Sequence, residues 1–317
     1  LQKYIDQASS LKNTPCLAKL NGEGLAALSS AELPHRRMED WKYTNITKEL
    51  AQDFKLVSTA DATYEFNKDA NFINLCFLNN SFVSEQSDTV NFTMTSLNVV
   101  DPVFLTSNAQ QNFKNDFVDI MNKSFMQAGH IYEFDSALLK PILIHRHYTQ
   151  EFSLNNITNL YKFNKNAEVK ILEKLTSDTS IFLNIASHVI AESNSNIEHC
   201  FIQDTKNGSL VFQSCYGTVK RDAHYSNVIL NTGAKKSRTN IALSLVDPGA
   251  VAEAHGLYAL HNDQHHDTLS YIQHDAPHTH SHQLYKGILG DESRGVFTGK
   301  VRVEKDSQLI TANPVSY

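Results

Sequence analysis

The sequence predicts a mainly β protein, a right-handed parallel β-helix with a small α-helical N-terminal part, on three observations. A short pattern of Asn, Asp or Gly, then Ala or Ser, recurs six times in the second half of the chain. The copies start at Asn166, Asn194, Asp222, Gly249, Asp275 and Asp306, at spacings of 28, 28, 27, 26 and 31 residues. A recurrence of that length is the mark of stacked supersecondary units. Asn, Asp and Gly tolerate the left-handed backbone of a sharp corner, and a small residue after them leaves room for it. Between the corners lie short runs rich in β-branched and aromatic residues, such as Val189-Ile190, Phe201-Ile202, Val211-Phe212 and Val228-Ile229-Leu230, which read as strands. One strand–corner–strand coil per repeat, each stacking on the last, is a β-solenoid. An antiparallel sandwich also alternates strands and turns, but has no reason to repeat a corner in register.

Taken in order, residues 1–50 read as a helical arm, 51–139 as mixed strands and helix leading into the core, and 140–317 as the solenoid. Leu17, Leu20, Leu25, Leu28 and Leu33, interrupted by Gly22 and Gly24, suggest two short helices. Pro34 and the charged stretch from His35 to Asn45 follow. They surround Trp41, the single tryptophan of the chain, and form an elbow in which the indole pins the arm to the next domain. Phe72–Leu78 suggests a strand. Phe113, Phe117, Ile120, Met121 and Phe125 line one face of a helix over Ala109–Ala128, stopped by Gly129. Strands then begin at Ile131 and Pro141, and no Pro-, Gly- or Ser-rich linker intervenes, so the arm is expected to pack on the solenoid.

With 41% hydrophobic and 20% charged residues, the 317-residue chain forms a core and is not a disordered sequence. A net charge of −6 argues against nucleic acid as a partner. No apolar run spans a membrane and no signal pattern opens the chain. Cys16, Cys76, Cys200 and Cys215 are widely spaced without C-x-x-C, as expected of reduced thiols in a cytoplasmic protein.

The residues that could carry chemistry are few. Eight of fifteen histidines fall between His255 and His282 (His255, His261, His265, His266, His274, His278, His280 and His282). In a strand, His278, His280 and His282 would share a face, with Asp263, Asp267 and Asp275 nearby to complete a divalent-metal site. Solvated or stacked imidazoles on a solenoid face are the commoner case, and no metal site is assigned. His199-Cys200 could pair a base with a nucleophile, but a buried structural Cys is commoner, Cys215 included. Lys235-Lys236-Ser237-Arg238 lacks the glycines of a phosphate loop and reads as a solvated basic loop. No G-x-S-x-G, dinucleotide fingerprint or paired catalytic Glu is present, so no catalytic residue is assigned and a scaffold is favoured over an enzyme.

Several stretches together resemble the SufB/SufD family of the SUF iron–sulfur cluster assembly system, and the SufD branch in particular. Arg36 to Asn45, around Trp41, resembles the family's R-x-x-E-x-W-K-Y-T signature. Asn122 to Ile144 resembles the start of its β-helix. Gly256-Leu257-Tyr258, His274-Asp275-Ala276-Pro277-His278, Tyr285-Lys286-Gly287 and Ser293-Arg294-Gly295-Val296-Phe297-Thr298-Gly299 carry the most specific match. The resemblance implies a non-catalytic scaffold subunit of the SufBCD complex, paired with SufB through the β-helix and driven by the ATPase SufC. It implies a possible homodimer when isolated, and no cofactor stably bound by this chain, the iron–sulfur cluster being handled by the whole complex. Family members typically continue into a C-terminal helical domain through a Cys-Ser-His-Gly-type segment carrying a cluster-assembly His. The sequence stops at Tyr317, so that His falls on no residue here. Two other classes are weaker: a polysaccharide-acting β-helix enzyme using Asp263, Asp267 and Asp275, and a His-rich metal-dependent oxygenase, whose motif needs a Glu absent after His278-x-His280.

Overall fold

The computed structural model describes residues 1–11, 15–57, 63–99, 116–305 and 307–316. Its helices are α1 (Gln2–Ser9), α2 (Pro15–Ser30), α3 (Thr47–Leu50) and α4 (Phe117–Ser124). The early strands are β1 (Lys55–Leu56), β2 (Ile73–Leu78), β3 (Ser81–Phe82), β4 (Thr93–Ser96) and β5 (His130–Phe134). Then come β6 (Ile142–Tyr148), β7 (Ser153–Phe163), β8 (Glu168–Ser177), β9 (Phe182–Ala191), β10 (Asn196–Asp204), β11 (Leu210–Val219) and β12 (His224–Asn231). The last are β13 (Lys236–Leu245), β14 (Val251–Leu260), β15 (His265–His274), β16 (His280–Leu289), β17 (Arg294–Val303) and β18 (Thr311–Ser316).

Each long strand pairs not with its neighbour in sequence but with the strand two along, and the pairing is parallel. One sheet runs β17-β15-β13-β11-β9-β7-β5-β4, and the other runs β18-β16-β14-β12-β10-β8-β6-β2-β3. Successive strands alternate between two sheets facing one lumen, which is the expected β-solenoid. Parallel pairing begins upstream of residue 140, at β2 with β6 and at β5 with β7.

Alternation explains the lumen. Along β8 the inward phase is Val169, Ile171, Glu173 and Leu175, and along β10 it is Ile197, His199 and Phe201. Inward side chains stack in columns up the axis, Tyr132 on Tyr161 at 4.8 Å and Phe134 on Phe163 at 5.0 Å. The outer face of the even-numbered sheet is solvated, so its strands alternate cleanly. The odd-numbered sheet is buried on both faces around β9 and β11, because the helical arm lies on it. Tyr4, Leu28, Trp41, Ile46, Leu50, Phe117 and Met121 pack there against Leu154, Phe182, Leu210 and Phe212.

Four of the six corners fall where the repeat puts them. Asn166, Asn194, Asp222 and Gly249 all have positive φ, between 56° and 79°. They form a ladder in which the N–H of Asn166 donates to Ser193 O and that of Asn194 to Arg221 O, at 3.2 and 3.0 Å. The last two copies are displaced. The register pairs Val251 with His280, so His278 (φ 57°), not Asp275, stands in line with Gly249. The N–H of Gly249 bonds to its carbonyl at 3.1 Å. Pro277 explains the shift: its fixed φ postpones the left-handed residue, as Pro248 does before Gly249. In the final coil Leu309 (φ 58°) takes that place, three residues after Asp306, which lies outside the described residues.

Two helical expectations also change. α2 runs unbroken through Gly22 and Gly24, where two short helices were expected. A Cβ on Gly24 would lie 2.5 Å from the Ser124 nitrogen, so this glycine lets α4 approach α2 closely. The helix expected over Ala109–Ala128 is Phe117–Ser124 in its described part, capped by the Asp116 carboxylate on the Val118 N–H at 2.8 Å; residues 109–115 lie outside the described residues. Trp41 is buried where the arm meets the sheet, edge-on to Phe212 at 6.3 Å, as the elbow reading expects.

Candidate functional site

The histidine-rich stretch divides between the two faces of the coils. His278 sits in a corner, outside β16, so it does not share a strand face with His280 and His282 as the alternating spacing suggested. His282 stacks edge-on with His255 at 5.3 Å on the outer face of the even sheet. Glu253 lies 3.5 Å from a ring nitrogen of both His224 and His255. The others serve packing. His266 bonds to Ser237 (2.8 Å) and Thr268 (2.8 Å), and His274 to Thr279 (2.7 Å) and Ser281 (2.9 Å), all buried. The three aspartates of the enzyme alternative do not converge. Asp263 pairs with Lys235, Asp267 with Arg238, and Asp275 accepts from Gln273. Among the described residues, no three His, Cys, Asp or Glu side chains are grouped to hold a metal ion.

The basic run is not a solvated loop. Lys236 opens β13, and its ammonium pairs with Glu49 of the arm at 3.0 Å. Arg238, 1% exposed, donates to the Asp267 carboxylate and the Asp40 carbonyl, both at 2.7 Å. Its guanidinium lies over the Trp41 ring at 4.1 Å, and Thr44 donates to the same Asp267 carboxylate. Arg36 to Thr44 is thus a clamp segment whose Trp and Thr meet one buried ion pair. Burial pushes the neighbouring His265 down to about 4, so its imidazole is neutral where it meets the Thr44 hydroxyl.

The group that residue-by-residue reading missed lies in the lumen. Glu173, fully buried, accepts from Tyr161 OH at 2.5 Å, has His199 Nε2 at 3.1 Å and has Arg146 Nε at 3.4 Å. His199 Nδ1 meets Tyr225 OH at 3.2 Å, and Tyr225 OH lies 3.4 Å from Cys215 Sγ. A carboxylate–imidazole–phenol–thiol chain therefore crosses the interior, with Asn227 donating to Tyr225 OH at 3.3 Å. The signal was present: Arg146, Glu173 and His199 each occupy the apolar phase of an alternating strand. Cys200 points the opposite way from His199, so no Cys–His couple forms at 199–200.

Electrostatics set what this chain can do. Burial raises the Glu173 carboxyl, but the bond from His199 and the charge of Arg146 outweigh it and leave the group below its usual range. Burial pushes the Cys215 thiol up to about 12 against a small opposing bond from Tyr225. Cys215 is therefore held as a neutral thiol at physiological pH and is a poor nucleophile. Alkylation of the native protein with iodoacetamide should accordingly leave Cys215 unmodified while denaturation exposes it, as peptide mass mapping would read; rapid native labelling of Cys215 would contradict its enclosure.

Several exposed apolar residues lie at the far end of the stack. Ile288, Leu289, Val301, Val303 and Leu309 are all exposed on or beside the last coils, where β17 and β18 are the edge strands of the two sheets among the described residues. Among the described residues, no helix is long and apolar enough to cross a membrane.

These features define a parallel β-solenoid protein whose helical arm is clamped to one sheet and whose interior holds a bonded chain running from Arg146 and Glu173 through His199 and Tyr225 to Cys215. Residues 147–316, more than half of the chain, match the family described as SUF system FeS cluster assembly, SufBD core domain, and the chain belongs to that family. It is 24% identical over 316 residues to an iron–sulfur cluster assembly SufBD family protein of Synechocystis sp., covering 91% of this chain and 70% of that protein. It is also 26% identical over 165 residues to the iron–sulfur cluster assembly protein SufD of Plasmodium falciparum, covering 50% of this chain and 11% of that one.

Proposed function

We propose that this chain is a scaffold subunit of a SUF-type assembly complex, without turnover of its own, that pairs with a SufB-like solenoid and works with the ATPase SufC in the cytoplasm. The observation that carries the reading is the family match over the solenoid from residue 147 to 316. The structure supports it in two ways. The lumen groups that might have been reactive bond to one another, with Cys215 held as a neutral thiol. The edges of β17 and β18, lined by Ile288, Val301 and Val303, offer backbone and apolar surface for a second solenoid, either SufB or another copy of this chain. The cluster is cargo of the whole complex, and this chain holds no cofactor stably.

The test uses the full-length gene in a strain lacking its own copy, with co-purification of SufB and SufC and recovery of iron–sulfur enzyme activity as readouts. Replacing His278, His280 and His282 together by Ala should leave both intact. His280 and His282 are residues on the outer face of β16, whose loss costs within about 0.5 kcal/mol per site. A complex that still assembles but no longer supports cluster formation would instead make these histidines functional and defeat the reading.

A further inference from the structure

The chain contains two Asn-Gly pairs, Asn21-Gly22 and Asn207-Gly208, and the fold treats them in opposite ways. A glycine has no Cβ to keep its backbone nitrogen off the carboxamide of the asparagine before it, so this pairing is open to attack within the chain. The attack needs access to water, a carboxamide free to turn and a glycine nitrogen not held in a hydrogen bond. Asn21 lacks all three. It lies in α2 at 3% exposure, and its NH2 donates to the Lys123 and Met126 carbonyls, both at 3.1 Å. The Gly22 N–H belongs to the helical ladder.

Asn207 has all three. It is exposed in the turn between β10 and β11, which the Ser209 N–H closes on the Lys206 carbonyl at 3.1 Å. Asn207 and Gly208 are the central residues of that turn. The other bonds of the turn run around them. The Lys206 N–H donates to Ser177 Oγ at 2.9 Å, and Ser209 Oγ accepts from the Ile181 N–H at 3.2 Å. Neither the Asn207 carboxamide nor the Gly208 N–H is held. The glycine is imposed by the fold, because its φ is 118° and a Cβ there would lie 2.3 Å from Ser180 Oγ. Asn194, also exposed and followed by a small residue, differs at the nitrogen: the Ser195 N–H donates to the Glu192 carbonyl at 3.1 Å.

We propose that Asn207 is a site of spontaneous deamidation. The Gly208 nitrogen bonds to Asn207 Cγ, the Cγ–Nδ2 bond breaks, and Nδ2 leaves as ammonia with the proton of the Gly208 amide. The succinimide so formed adds water at either carbonyl and opens to an aspartyl or an isoaspartyl link, each with a new negative charge. Water is the only co-reactant. The isoaspartyl product lengthens the backbone at a turn bonded to the coils on both sides, through Ser177 and through the Lys235 N–H on the Ser209 carbonyl.

The test incubates the purified full chain in mildly alkaline buffer, digests it with pepsin in acid and maps the peptides by mass. The peptide holding residue 207 should gain the mass of an amide-to-acid exchange and split into two products of equal mass. Conversion at Asn21 should be slower by at least about tenfold, since α2 must first open and release its bonds. In urea the two asparagines should convert at similar rates, which assigns the difference to the fold. Asn207→Gln should abolish the gain in that peptide. An Asn207 that keeps its amide in the native chain while the urea-unfolded chain converts, equal native rates at Asn21 and Asn207, or a gain that persists in Asn207→Gln would overturn the proposal.

Discussion

Glu173→Ala should lower the unfolding free energy by about 3–5 kcal/mol, since it leaves the Arg146 guanidinium buried with its charge partner gone. Tyr161 and His199 lose their acceptor at the same time. Denaturant unfolding of purified protein reads this directly. The paired replacement Arg146→Met with Glu173→Leu should recover much of the loss, because a buried ion pair replaced by apolar side chains of similar volume is often neutral or stabilising. The pH dependence follows from the sign of the shift. The folded carboxyl titrates below its unfolded value of about 4.3, so its contribution is present above that value and lost as pH falls through the folded one. Stability of the wild type should therefore drop more steeply below about pH 4 than that of the paired variant. Equal acid sensitivity, or a loss under about 1 kcal/mol for Glu173→Ala, would show that the lumen relaxes or admits water around Arg146.

The second large effect is expected at the clamp. Arg238→Ala leaves the Asp267 carboxylate without its cation beside Asp116, whose carboxyl burial already raises against the opposing Arg238 charge. It also uncovers the Trp41 face. A cost of about 3–5 kcal/mol is expected, appearing first as release of the arm. Trp41, the one tryptophan, reports this without a label: its emission should move to the red and become open to iodide quenching, while the solenoid retains its β signal. Arg238→Lys should not rescue it, since a lysine cannot bond Asp267 and Asp40 while lying flat on the indole. An unshifted Trp41 spectrum in Arg238→Ala would mean that the apolar contacts of Tyr4, Phe54 and Met121 hold the arm by themselves.

Much of the fold was legible because corners obey local backbone rules. Asn166, Asn194, Asp222 and Gly249 are where they are because few residues accept positive φ, and that preference is visible in a string of letters. Asp275 misled because Pro277 lengthens the corner and passes the left-handed position on to His278. Gly24 misled for the opposite reason: its role is to admit Ser124 of another helix, a contact 100 residues away that no local pattern records.

The candidate site was less legible. Crowding of histidines drew attention to the outer face, whereas the charged chain is spread over Arg146, Glu173, His199 and Cys215, one or two residues per strand. Stacking in register, not proximity in sequence, brings them together. Arg238 was hidden in the same way, as its partners Asp40 and Trp41 lie nearly 200 residues upstream. Charges on the apolar phase of alternating strands would have identified the first set.

If the chain is the scaffold proposed above, the buried groups of the solenoid serve its fold and not a reaction. The measurement that addresses this most directly is recovery of iron–sulfur enzyme activity by the full-length gene carrying Arg146→Met with Glu173→Leu, with assembly of the SufB and SufC complex verified in the same cells. Recovery close to that of the wild-type gene is expected. Assembly of a folded complex that fails to restore cluster formation would contradict it, and would place the lumen chain in the reaction itself.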